Sequence, residues 1–375
     1  MKIVKLLAVA LLLFITSCSN DDSKSSPDKK ALVQKKLDAA LSNFPGVSLS
    51  VKTVSENYTL VAGDAVINEK PMDASALHYM QSISKTFTAV AVLKLKEEGK
   101  INLDDKVNTY LPDICNNLPN GNIITVRQLL NMTSGLPDYL DNDQFLNDAV
   151  AGPLPMTSEQ VLSYVYNQPA NFSPGASFGY CNINYHLLAH IIDSVTPNGH
   201  RAYITDKVIN AIGLSNTYYI AGSASTAAPV GTTANYLEMD GTFTDVSELQ
   251  LGTVLTFIGD DGIVASVQDM AEFYYKLLHD ETVLSPSALE EMKVTVSYQN
   301  TPIYGLGLHF YKTNGDLQAI GHEGSGAGAG AYAFYFPSKN TSVVLCANAG
   351  TLIDPVKEEQ LQALWEEITG ILLNI

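Results

Sequence analysis

The chain has 375 residues, 22 Lys and Arg against 39 Asp and Glu, and a net charge of −17 at pH 7. A chain this acidic lacks the basic face needed to offset phosphates, which excludes nucleic-acid binding. Apolar residues make up 46% of it, enough for a globular core in one large domain or two lobes.

Met1–Cys18 reads as an export signal. Lys2 and Lys5 give a positive start, and Leu6–Ile15 is an apolar run too short to span a bilayer. Ile15-Thr16-Ser17-Cys18 then resembles a bacterial lipobox. The expectation is a signal over residues 1–17 and a lipid on Cys18, holding an exported protein to the periplasmic or cell-surface side of a bacterial membrane. Residues 18–30 are small, polar and charged and read as a flexible tether.

Ala31–Phe44 has helical periodicity and stops at Pro45-Gly46. Val47–Val51 alternates as a strand, with Tyr58–Ala65 as its partner. Ser82–Glu98 reads as an amphipathic helix ending at Gly99. Thr125–Asn131, Pro153–Asn167 and Ile183–Val195 read as helices, and Thr226–Thr256 as loops without a dominant period. Ser266–Leu278 reads as a helix that Ser266 can cap. Tyr304–Phe310, Ala331–Phe336 and Thr341–Ala347 read as strands, and Pro355–Leu373 as a closing helix.

Strand runs segregated from helices favour an α+β fold with an antiparallel sheet. The N- and C-terminal helices would flank that sheet. A mainly helical subdomain, about residues 100–255, would be inserted into one domain spanning 31–375. Beyond Cys18 the cysteines are Cys115, Cys181 and Cys346, an odd set that argues against a disulfide framework. Cys346 reads as a buried strand residue.

Ser82 and Lys85 are the leading chemical candidates. Three residues apart on a helix, they share a face. Serine is a weak nucleophile until a neighbour takes its proton, and a lysine can do so if burial lowers its pKa. Ser84 also precedes Lys85, but adjacent helical residues do not face each other. A second Ser-x-x-Lys, Ser26 to Lys29, lies in the tether.

His186 and His190 are four apart on a helix but lack the glutamate of a metalloprotease motif, so no metal is expected. The Gly324–Gly330 run precedes a strand, not a helix, which excludes a phosphate loop. It suits a sheet edge that substrate approaches closely. No cofactor is expected.

Four segments in order carry a family resemblance. They are Ser82-Ile83-Ser84-Lys85, the stretch ITVRQLLNMTSGLPDY over 124–139, Tyr180-Cys181-Asn182 after Phe-Ser-Pro-Gly, and His322-Glu323-Gly324. Together, from about Pro45 to Asn348, they resemble the serine β-lactamase-like hydrolases: class C β-lactamases, D-alanyl-D-alanine carboxypeptidases and related esterases. The resemblance implies that Ser82 becomes acylated, with Lys85 or Tyr180 as its base and Tyr180 protonating the leaving group. It implies that Asn182 reaches Lys85 and the substrate carbonyl. His322 would bind a substrate carboxylate or polarise the tyrosine. The backbone N–H groups of Ser82 and Ser325 would form the oxyanion hole, with Gly324 beside them.

The histidine of the third motif is more like the carboxypeptidases and esterases than class C β-lactamases, which carry lysine. The expected function is therefore that of a penicillin-binding-protein-like hydrolase of D-Ala-type peptide or amide bonds. An esterase, a β-lactamase or a non-catalytic binding lipoprotein are the alternatives. Two departures stand out. Glu323 adds negative charge beside any carboxylate-binding site, and Gly259-Asp260-Asp261-Gly262 replaces a small-residue stretch.

Overall fold

A computed structural model describes residues 28–374, except 153, 223–225, 300 and 314–315. The signal, the lipobox cysteine Cys18, Ser26 of the second Ser-x-x-Lys and nearly all of the tether lie outside the described residues, while its Lys29 opens the first helix.

Among the described residues, nine strands form one antiparallel sheet. Gly46–Lys52 pairs with Asn57–Val66 on one side and with Thr341–Ala347 on the other. Gly330–Phe336 and Asp316–Ser325 continue the sheet from there. Alternate strand residues point to opposite faces, and the core divides accordingly. Val343, Leu345 and Ala347 pack with Leu37, Leu361 and Ile368 of the terminal helices Lys29–Ala40 and Pro355–Leu373. Val344 and Cys346 face the other way, into the large cluster that includes Met270 and Phe273 of the helix Val267–Leu278. Burial on both faces explains the unbroken apolar run at 343–347. The fold is α+β with flanking terminal helices, as expected.

Several elements differ from the sequence reading. The helix that carries Lys85 runs Ser84–Glu97, and Gln81–Ile83, which includes Ser82, precedes it as a 3₁₀ turn. Every residue from Ser84 to Leu93 is buried, so it is a central helix and not an amphipathic surface one. Its polar residues escape notice because they bond to loops: Thr86 Oγ1 donates to the Gly307 carbonyl at 2.8 Å and Thr88 Oγ1 to that of Gly259 at 2.7 Å.

Thr226–Thr256 contains a hairpin, Tyr236–Met239 with Thr242–Asp245, and a helix, Ser247–Thr256. That helix has no clean apolar stripe because its buried Gln250 and Thr256 make polar tertiary bonds, to Gly328 N and Met156 N. Pro153–Asn167 keeps helix only over Ser158–Ser163, started by a capping box between Thr157 and Gln160. An unexpected helix, Asp143–Ala151, starts where Asn142 caps two backbone N–H groups. Tyr304–Phe310 is two strands joined by a turn, with Gly307 at φ 74°. The strand Asp316–Ser325, which carries the third motif, went unread as a strand because glycines interrupt its alternation.

Candidate active site

A second, three-stranded sheet places Ser82. Ile263–Ser266 lies between Leu77–Tyr79 and Thr217–Tyr219. Leu77–Tyr79 leads directly into the turn that bears Ser82. Met80 N donates to the Ile263 carbonyl at 2.9 Å, and Ile263 N donates to Ser84 Oγ at 3.0 Å. Ser84 is therefore a structural clamp. Ser84→Ala is expected to lower stability by about 1–2 kcal/mol while catalysis persists, checked by urea denaturation beside a turnover assay.

Gln81 sits at φ 51°, a left-handed conformation that is costly for a residue with a side chain. The third motif closes over this turn. A Cβ on Gly324 would lie 2.4 Å from the Met80 carbonyl oxygen, so only glycine lets the strand approach.

Lys85 is fully buried and its Nζ has three partners. It lies 2.9 Å from Ser82 Oγ, 2.8 Å from Asn182 Oδ1 and 3.2 Å from the Asp260 carbonyl oxygen. The last two can only accept, so they hold two N–H bonds. The third tetrahedral position faces Ser82. In the ammonium form it donates there; in the neutral amine it presents a lone pair to the serine proton. Burial pulls the Lys85 pKa below the ordinary lysine value, opposed by the negative charges of Asp260, Asp261 and Asp138.

Tyr180 lines the same cavity and is 38% exposed, so its ring is open to substrate. Lys85 Nζ lies 5.1 Å from its ring centre. Desolvation of the phenol raises its pKa well above 10.0, with the Ser82 hydroxyl opposing and Glu323, Asp260 and Asp138 adding to the rise. Although Tyr180 is partly exposed, its hydroxyl lies beside that of Ser82. Tyr180 is a neutral proton donor at ordinary pH.

The 124–139 stretch is a cradle for the Tyr180 loop. Met132, Thr133 and Gly135 offer carbonyls to the N–H groups of Gly179, Gly175 and Asn171, at 2.8–2.9 Å. Asp138 Oδ2 accepts from Asn182 N at 2.5 Å and from Asn182 Nδ2 at 3.0 Å. That fixes the amide so that Oδ1 faces Lys85. Asn182 thus reaches Lys85 as expected, while part of the amide group expected to meet a substrate carbonyl is committed to Asp138.

Tyr139 Oη donates to Asp260 Oδ2 at 2.5 Å and steadies the carboxyl beside Lys85. Asp138, Tyr139 and Asp260 were missed as functional residues. The available signal was the acidic Asp260-Asp261 pair between glycines. Gly259, at φ 80°, could not carry a Cβ, which would lie 2.2 Å from the Tyr185 carbonyl oxygen.

His322 departs from expectation. It is buried, and its Nδ1 donates to the Glu323 carbonyl at 2.6 Å. That leaves Nε2 to accept from Tyr304 Oη at 3.1 Å. Burial holds the ring neutral. Its Nδ1 serves the Glu323 carbonyl and its Nε2 serves Tyr304, so in this structure neither nitrogen is turned to Tyr180 or open to a substrate carboxylate. His309, His322 and Glu323 bring ligand atoms within 4.8 Å of one another. With both His322 nitrogens engaged, this group is poorly disposed to hold a metal. His186 and His190 both turn Nε2 to the Ser158 hydroxyl, at 2.6 Å each, and so anchor the helix Ser158–Ser163.

Ser82 and Ser325 line one cavity of about 480 Å³ together with Tyr180 and Asn182. Its apolar wall includes Leu140, Phe178, Phe257, Ile303 and Leu352. Cys115, Cys181 and Cys346 are free and buried, with no disulfide among the described residues.

This architecture and site define a β-lactamase-fold protein of the serine-hydrolase class. The chain belongs to the Beta-lactamase family, whose family model matches residues 33–364. It is similar to Protein flp of Staphylococcus aureus (strain N315), 26% identical over 285 residues, which cover 75% of this chain and 54% of that protein. The chain thus spans about half the length of such curated relatives. A putative D-alanyl-D-alanine carboxypeptidase of Escherichia coli (strain K12) is 30% identical over 164 residues, 41% of this chain and 37% of that protein. The crystal structure of a D-stereospecific amidohydrolase from Streptomyces sp. superposes with a TM-score of 0.75 at 29% identity, covering 90% of this chain and 99% of that one.

Proposed function

We propose that the protein is a serine amidohydrolase that forms an acyl-enzyme on Ser82 and cleaves amide bonds of D-Ala-type substrates. The observation that carries this is the Lys85 amine, buried and held with one position facing Ser82 Oγ at 2.9 Å. In its neutral form Lys85 takes the Ser82 proton as Oγ bonds to the substrate carbonyl carbon. The backbone N–H groups of Ser82 and Ser325 are the proposed donors to the oxyanion. As the C–N bond breaks, Tyr180 gives its proton to the leaving nitrogen, and Lys85 returns its own proton to the phenolate. Water then cleaves the Ser82 ester by the reverse proton route. The named activities of the Streptomyces and E. coli relatives support an amide substrate with a D-residue.

The test is turnover of D- and L-alanine p-nitroanilide by wild type and Ser82→Ala, with the acyl adduct sought by intact mass. The expected result is a D preference, an adduct on wild type alone, and a loss on the order of 10⁶-fold in the variant. Full activity in Ser82→Ala, or an L preference, would overturn the reading.

The same reading places the enzyme outside the cytoplasm, held by lipid on Cys18. The Ile15–Cys18 sequence after a short apolar run supports it. Cys18→Ala is expected to move the protein from the membrane fraction to the soluble one. Unchanged membrane retention would count against the anchor.

A further inference from the structure

Resting on that hydrolase reading, we infer that Glu323 is a specificity residue that receives a positively charged group of the substrate, the free α-ammonium of a D-aminoacyl amide. The described residues lining the catalytic cavity include four carboxyl groups, Asp260, Asp261, Glu323 and Glu358, and no Lys or Arg. Two of the four are spoken for by the protein. Asp260 accepts from Tyr139, and Asp261 is buried and accepts from Gly262 N. Lys85 cannot balance the cavity for an incoming anion, because it lies fully buried behind Ser82 with three partners.

Glu323 differs from the buried pair. Its side chain is 31% exposed. Its contacts are long: Oε1 lies 3.3 Å from His309 Nδ1, and Oε2 accepts from Tyr311 Oη at 3.3 Å. Lone pairs on both oxygens stay open. Its one basic neighbour among the described residues, His309, has its pKa lowered by burial, so the ring does not cancel the carboxylate charge. The His309 Nε2 is itself buried without a partner. Glu323 is also the leading nearby charge that raises the Tyr180 pKa, which places it close to the reacting groups.

A substrate carboxylate at this position would meet like charge and no cation, since both His322 nitrogens are engaged. An ammonium would gain charge-assisted hydrogen bonds. The structure therefore favours substrates with a free amino end over those with a free carboxyl end.

The experiment compares kcat/KM at pH 7 for three amides with one leaving group: D-alanine p-nitroanilide, its N-acetyl form and its N-succinyl form. They are cationic, neutral and anionic respectively. The expected wild-type order is cationic first by at least about tenfold, then neutral, then anionic. In Glu323→Gln the ratio of cationic to neutral is expected to fall about 10- to 100-fold, since a lost charged hydrogen bond has that size. The ratio cancels any general effect of the substitution on catalysis. High salt is expected to narrow the wild-type ratio. Equal or better use of the N-acetyl or N-succinyl amide by wild type would overturn the inference while leaving the hydrolase reading intact. Failure on all three amides would overturn the hydrolase reading, and this inference with it. Should Glu323→Gln fail to fold, the wild-type series decides alone.

Discussion

Lys85→Met is expected to lower kcat by about 10³- to 10⁴-fold, near the full contribution of a general base. Methionine fills the space of the lysine stem but can neither take nor return a proton. The loss should appear in the single-turnover acylation rate, not only at steady state. A residual rate above the uncatalysed one is expected, because binding and the oxyanion donors survive. The wild-type pH profile carries the same logic. The acid limb of kcat/KM reports deprotonation of Lys85, so it lies below the ordinary lysine value of 10.5. Tyr180 must keep its proton to serve the leaving group, and its pKa lies well above 10.0. On the N-acetyl amide, whose amino end does not titrate, activity should therefore rise with pH and hold a plateau, with no alkaline fall until the protein nears its own denaturation. A variant within tenfold of wild type, or activity on the N-acetyl amide falling between pH 7 and 9, would transfer the base role away from Lys85.

The roles that chain-local chemistry sets were legible in the sequence. Ser82 and Lys85 are three apart and meet through one turn of helix. The cap of Ser266 on Asp269 N is likewise local, as are the breaks at Pro45-Gly46 and Gly99. The strand at 341–347 was readable because a short unbroken apolar run leaves a plain signature. What the sequence hid depends on contacts distant along the chain. Asp138 acts through Asn182, 44 residues away, and Tyr139 through Asp260, 121 residues away. Neither pair has a spacing rule. The bonds of His322 were hidden in the same way. Tyr304, which donates to its Nε2, lies 18 residues away on another strand of the sheet. The helix Ser247–Thr256 was missed for a related reason: polar bonds hold it down where an apolar stripe would have advertised it.

Asp260→Asn is expected to weaken the pH dependence of stability and to move the activity profile. Burial raises the Asp260 pKa to about 7 from 3.8, opposed by Lys85 and by the Tyr139 hydroxyl. The folded protein therefore keeps a proton that the unfolded chain has released. Stability from this group is full below about pH 4 and is lost as pH rises through about 7, on the order of 4 kcal/mol in all. Asp261, raised to about 6, acts in the same direction. Lys85 acts oppositely and at higher pH. Its folded pKa is lowered, so stability recovers between that pKa and 10.5. Asparagine retains an oxygen for Tyr139 and cannot ionise. Its amide nitrogen would face the position where Asp260 Oδ1 has no partner, a pH-independent cost of about 1–3 kcal/mol. The informative quantity is thus the change in unfolding free energy between pH 5 and pH 8, measured by urea titration in both proteins. Wild type should lose stability over that interval and the variant should lose much less. Asp260 is also the largest charge favouring protonated Lys85. Removing it should shift the acid limb of kcat/KM to lower pH. An unchanged stability difference would mean that folded Asp260 is already ionised across this range, and an unchanged limb that its charge does not act on Lys85. The charge that tunes Lys85 would then have to come from Asp261 or Asp138.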